Sequence, residues 1–108
     1  MSAYRKGLRA KAVENIALVK EFYDKYQARI AKGLAVYGEF DAAADKRVLA
    51  HEAIEECLDI GSYLDFLEQK HPTLRLRIQK IRANTILLYG ELKALEEAER
   101  TQGEARTG

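Results

Sequence analysis

Apolar side chains recur through the last third of this chain at a spacing that only a long helix can use. Leu74, Ile78, Ile81, Thr85, Leu88, Leu92 and Leu95 follow one another in alternating steps of four and three. Those steps hold one seam of a helix against a partner helix at a small, left-handed crossing angle. The pattern predicts a helix over about residues 73–100. Leu76, Ile86 and Leu87 lie off the seam and widen its apolar surface.

Two further helices are expected upstream. Ile16, Val19, Tyr23, Tyr26, Ile30 and Leu34 share one face of a segment running from about Lys11 to Lys32. Gly33 and Gly38 punctuate its end, so 33–45 reads as a connection, with Ala42-Ala43-Ala44 able to add a helical turn. Asp45 is placed to cap a second helix that continues to about Lys70, with Ala50, Ile54, Cys57, Leu58, Gly61 and Leu64 as its core stripe. His71-Pro72-Thr73 then breaks the chain, because a residue before proline is pushed out of the α region, while Pro72 suits the first turn of the third helix.

The fold class expected is all-α: three main helices forming an antiparallel bundle. Three helices of this length carry more apolar stripe than they can cover mutually, so dimerisation is expected to complete the bundle. The organisation read from the pattern is a flexible basic N-terminus at 1–10, one helical domain at 11–100 and a disordered tail at 101–108.

Composition narrows the function classes. Eighteen basic against seventeen acidic side chains leave a formal net charge of +1, which argues for neither nucleic acid nor membrane as partner. Basic residues do not gather on one helix face, so a DNA-reading helix is not expected. No apolar run reaches the roughly 20 residues of a membrane span, and the first residues lack the apolar stretch of a signal peptide. The single cysteine, Cys57, excludes an internal disulfide and fits a reducing compartment. The expected location is cytoplasmic.

The segment with most chemical content is Glu52-Ala-Ile-Glu55-Glu56-Cys-Leu-Asp59. At about 100° per residue, its four acids fall in one arc roughly 100° wide, nearly opposite the core stripe of the second helix. Carboxylates stacked a turn apart repel by a few tenths of a kcal/mol per pair. They therefore either stand in water or are held by cations. Tyr63 and Phe66 continue the same arc, which suggests a half-covered space where unpaired charge is costly. Mg²⁺, or Mn²⁺, is the cation that such an oxygen-only set suits, whereas zinc spacing of His and Cys is missing. His51, just before the run, reads as an ion-pair partner.

The Glu-x-x-Glu-Glu-x-x-Asp spacing, preceded by Arg29-Ile-Ala-Lys32-Gly33-Leu-Ala-Val-Tyr37-Gly38-Glu39-Phe40-Asp41, resembles small MazG-like proteins of the all-α nucleoside triphosphate pyrophosphohydrolases. The resemblance covers about residues 20–70. It implies a homodimer or homotetramer that converts a nucleoside triphosphate to the monophosphate and pyrophosphate with Mg²⁺. By that resemblance Glu52, Glu55, Glu56 and Asp59 would hold the metal, with Glu56-x-x-Asp59 matching the family element. Glu55 or Glu52 would orient or deprotonate the attacking water. Arg29, Lys32, Lys80 and Asn84 would contact the triphosphate, and Tyr37 would meet the base. Arg29 and Lys32 have a plainer role available in complementing a helix C-terminus, and Tyr37 in anchoring the connection beside Phe40. The family's acidic Glu-Glu-x-x-Glu on the preceding helix has no counterpart here; Glu21-x-x-Asp24 is its nearest substitute. The alternative from another class is a non-catalytic helical dimer, a structural or interaction protein whose third helix pairs with itself or with a partner.

Overall fold

The computed structural model describes the backbone of residues 2–107 and the side chains of residues 15–103. The fold is all-α, with the three expected helices: α1 (Ser2–Tyr37), α2 (Leu49–Lys70) and α3 (Arg75–Thr107), the last preceded by a 3-10 turn at Pro72–Leu74. The chain divides into two compact units, Met1–Asp45 and Lys46–Gly108.

The first unit is α1 and the segment after it. Gly33 does not end the helix as expected. It keeps a negative φ, and helix continues through it at the cost of about 1 kcal/mol that an internal glycine carries. The stop comes at Gly38, whose φ of 78° only glycine adopts without strain. Its N–H donates to the Leu34 carbonyl at 2.9 Å, closing the helix with a left-handed cap. Asp41 then folds the alanine run into one turn: its Oδ1 accepts from the Ala43 and Ala44 N–H groups at 3.1 and 3.3 Å. Along α1, Phe22, Tyr23 and Tyr26 cluster edge-to-face and stacked, with centroids 5.4–6.1 Å apart. The apolar stripe from Ile16 to Leu34 is exposed.

The second unit is a helical hairpin. Its core is Ala50, Ile54, Cys57 and Leu64 from α2 and Ile78 from α3, each 2–6 % exposed. The Cys57 thiol donates to the Thr85 carbonyl at 3.4 Å, marking how closely the helices approach. Burial of each larger aliphatic contributes about 1.5–3 kcal/mol. Leu58, expected in this core, is instead 52 % exposed. Pro72 occupies the first position of the 3-10 turn, and the preceding helix closes with the His71 N–H on the Leu67 carbonyl at 2.8 Å.

Two features of the hairpin differ from the sequence expectation, and one cause underlies both. The α3 seam that faces α2 runs through Ile78, Arg82, Thr85, Tyr89, Leu92, Glu96 and Glu99, all less than fully exposed. It shares Ile78, Thr85 and Leu92 with the expected line, but Ile81, Leu88 and Leu95 give way to Arg82, Tyr89 and Glu96. Relative to that line the helix is turned by roughly 50°. Charged partners on α2 set the rotation. The Arg82 guanidinium reaches Asp65 at 3.0 Å and Glu68 at 3.5 Å. Glu96 accepts from His51, and Glu99 from the start of α2. The second difference is the cap: α2 begins after Val48 rather than at Asp45, with no side-chain cap from its own chain segment. Glu99 supplies the acceptors instead.

Of the expected flexible ends, residues 1–10 and 104–108 have side chains outside the described ones. Thr101 continues α3, its hydroxyl donating to the Glu97 carbonyl at 2.9 Å.

Candidate functional site

The acidic arc of α2 faces directly away from α3. Glu52, Glu55, Glu56 and Asp59 are all exposed, and so are Tyr63 and Phe66 beyond them; the half-covered space expected there is open. Glu55 turns to His51, whose Nε2 lies 3.2 Å from its Oε1. Among the described residues no three His, Cys, Asp or Glu side chains converge as a metal site. The acids present therefore do not by themselves make a Mg²⁺ ligand set. Glu21 and Asp24, the nearest substitute for an acidic pair on the first helix, are each tied to a lysine a turn away, Lys25 and Lys20, at 3.2 Å.

The expected substrate contacts are distributed over both units. Arg29, Lys32 and Tyr37 stand exposed on α1, with Tyr37 at 87 % and its neighbour Phe40 at 61 %, so neither fills a core. Lys80 and Asn84 stand exposed on α3, off its seam with α2.

Where α2 begins and α3 nears its end, the hairpin assembles a charge cluster that local pattern does not announce. Both oxygens of Glu99 accept main-chain N–H bonds, from Leu49 at 2.8 Å and Ala50 at 2.7 Å. These are two of the four amides that a helix start leaves without partners, and a carboxylate there also meets the positive end of the helix dipole. One turn earlier, Glu96 takes the Nδ1 of His51 at 2.7 Å, with Lys93 and Arg100 at 3.6 Å. The hydrogen bond from His51 and those cations hold the Glu96 carboxyl below its ordinary value of 4.5, against a smaller opposing effect of burial. His51 stands between two carboxylates, its Nδ1 hydrogen-bonded to Glu96 and its Nε2 in ion-pair range of Glu55. This cluster fixes the hairpin's register. The only sequence signal for it is separation by one turn of Glu96 and Glu99 on the α3 seam, which reads equally as solvated charge.

The two long sides of the hairpin are unlike. One carries a shallow cleft of about 200 Å³ lined by Cys57, Leu58, Gly61, Arg82, Thr85, Ile86 and Tyr89. The other is a continuous apolar face. It is built from Ile60 and Leu67 of α2 beside Leu74, Ile81, Leu88 and Leu95 of the 3-10 turn and α3, each at seven-residue spacing and 37–56 % exposed. Rotation of α3 toward its charged partners is what leaves Ile81, Leu88 and Leu95 outside the core.

No family profile, curated protein or solved structure matches this chain. The class that the structure defines is a small all-α three-helix protein. Among the described residues no helix is long and apolar enough to cross a membrane.

Proposed function

We propose that the chain is a helical interaction protein that works through the apolar face of its hairpin. The observation that carries the reading is the stripe Leu74, Ile81, Leu88 and Leu95, flanked by Ile60 and Leu67, unbroken by charge and left half-exposed. A contiguous apolar face on a small domain marks an association surface more often than an inert one. The heptad spacing adds that the partner presents a helix.

The test compares wild type with an Ile81→Glu, Leu88→Glu double variant. Both positions are solvent-facing in the hairpin, so helicity by circular dichroism is retained. Wild type is expected either to sediment as an assembly or, as a monomer, to bind an apolar dye such as ANS. The double variant loses whichever of these wild type shows. A wild type that is both monomeric and dye-silent removes the reading.

One observation favours a second reading, the metal-dependent nucleoside triphosphate pyrophosphohydrolase. Glu52, Glu55, Glu56 and Asp59 share the outward face of α2, where a further helix could supply the missing acids. Isothermal titration with Mg²⁺ or Mn²⁺, repeated on Glu56→Gln, Asp59→Asn, decides it: no heat from wild type at millimolar ion ends that reading.

A further inference from the structure

The apolar face is flanked by four charges whose placement selects an occupant. On α2, Glu56 and Lys70 border the face two turns to either side of Tyr63. On α3, Arg77 and Glu91 border it at equal distances from Asn84. All four are exposed, and none has an ion-pair partner among the described residues. Because the helices run antiparallel, Cys57 meets Thr85 and His51 meets Glu96, so Tyr63 and Asn84 lie at about the same level of the hairpin. The same register puts Glu56 level with Glu91, and Lys70 level with Arg77. One end of the face is thus bordered by acids and the other by bases.

We infer that the occupant is a second copy of this chain, packed face to face about a twofold axis that crosses both helices beside Tyr63 and Asn84. This rests on the reading of the face as an association surface and adds its partner and register. Rotation about that axis reverses the levels. Glu56 then meets Lys70 of the second copy, and Arg77 meets Glu91, each contact made twice as an isologous interface requires. The apolar residues fall into register about the same axis. Ile60 opposes Leu67, Ile81 opposes Leu88, and Leu74 opposes Leu95, so no side chain on the face meets a charge.

The other face-to-face twofold, with its axis along the helices, keeps the levels. It sets Glu56 against Glu91 and Lys70 against Arg77, and like charges in contact suppress that arrangement. Size is adequate. The 22 residues from Leu74 to Leu95 span about 31 Å along the helix, and two adjacent helices about 20 Å across, roughly 600 Å² per copy. Pairing then buries about 1,200 Å² in all, above the roughly 1,000 Å² that a specific interface needs.

Single-cysteine cross-linking tests the axis. Tyr63→Cys and Asn84→Cys each place a thiol beside its own symmetry copy, while Cys57 is buried and serves as the silent background. Each variant, treated with a short bis-maleimide, is expected to give cross-linked dimer in good yield at micromolar concentration, with wild type giving little. In the level-keeping arrangement position 63 lies across the interface from position 84, so only a mixture of the two variants would cross-link, and that result overturns the register. A wild type that sediments as a dye-binding monomer overturns the second-copy partner and leaves the interaction reading standing. A dye-silent monomer removes both.

Discussion

Removing Glu99 separates the long-range cap from ordinary surface charge. Its two oxygens hold the Leu49 and Ala50 amides at 2.8 and 2.7 Å, the second bond partly buried. Losing an N-terminal cap costs about 0.5–2 kcal/mol, and a hydrogen bond to a charged group contributes about 1.5–3 kcal/mol. Water can replace the acceptor at the exposed Leu49 amide but less readily at Ala50, so Glu99→Ala is expected to cost about 2 kcal/mol. For a domain of this size 1 kcal/mol moves the thermal midpoint by about 4–8 °C, which puts the shift near 10 °C. Glu99→Gln retains an accepting oxygen without the charge and should fall about halfway. Glu97→Ala removes an exposed acid two residues away and should stay within about 0.5 kcal/mol. Thermal melts followed by circular dichroism read all three. If Glu99→Ala melts with Glu97→Ala, the α2 start is not capped from α3 and the hairpin register loses its anchor.

Core and pH effects arise from the same hairpin. Ile78 is the most buried side chain among the described residues, at 2 %, and Ile78→Ala should cost about 2–5 kcal/mol by chemical denaturation, enough to unfold much of the hairpin. The folded state holds the Glu96 carboxyl below its ordinary 4.5, so its contribution is complete above that value and is lost as pH falls through the lowered one. The melting midpoint should therefore drop on acidification below about pH 4.5, and Glu96→Gln should flatten that part of the profile; an unchanged profile in the variant contradicts the assignment.

The helices were legible because their signals are local. Four-three spacing marked α3, Pro72 marked the break, and the stripe Ala50, Ile54, Cys57, Leu64 named most of the core. What escaped were choices settled between the two helices, by partners 14 to 50 residues apart. Two four-three lines on α3 share Ile78, Thr85 and Leu92, and the local signal, apolar character, prefers Ile81 to Arg82. Asp65, Glu68 and His51 on the opposite helix overturn that preference, by giving Arg82 and Glu96 partners that leucines could not use. The same long-range acid, Glu99, displaced Asp45 as the cap of α2. For the acidic arc, spacing on one helix says where the carboxylates point but not what stands before them. Glu52, Glu55, Glu56 and Asp59 do share a face as read, and the expected cover over that face was an inference from Tyr63 and Phe66, which are exposed.

The central claim is that two copies meet through the apolar face with their ends reversed, and charge reversal tests it most directly. Lys70→Glu, Arg77→Glu turns four attractive contacts per dimer into repulsions, each exposed pair contributing about 0.2–1 kcal/mol, so the dissociation constant should rise by one to two orders of magnitude. Adding Glu56→Lys, Glu91→Lys restores every pair with its sign inverted and should return the wild-type constant by sedimentation equilibrium, with helicity the same in all three proteins. A quadruple variant that associates no better than the double, or a double variant that associates as wild type does, contradicts the claim.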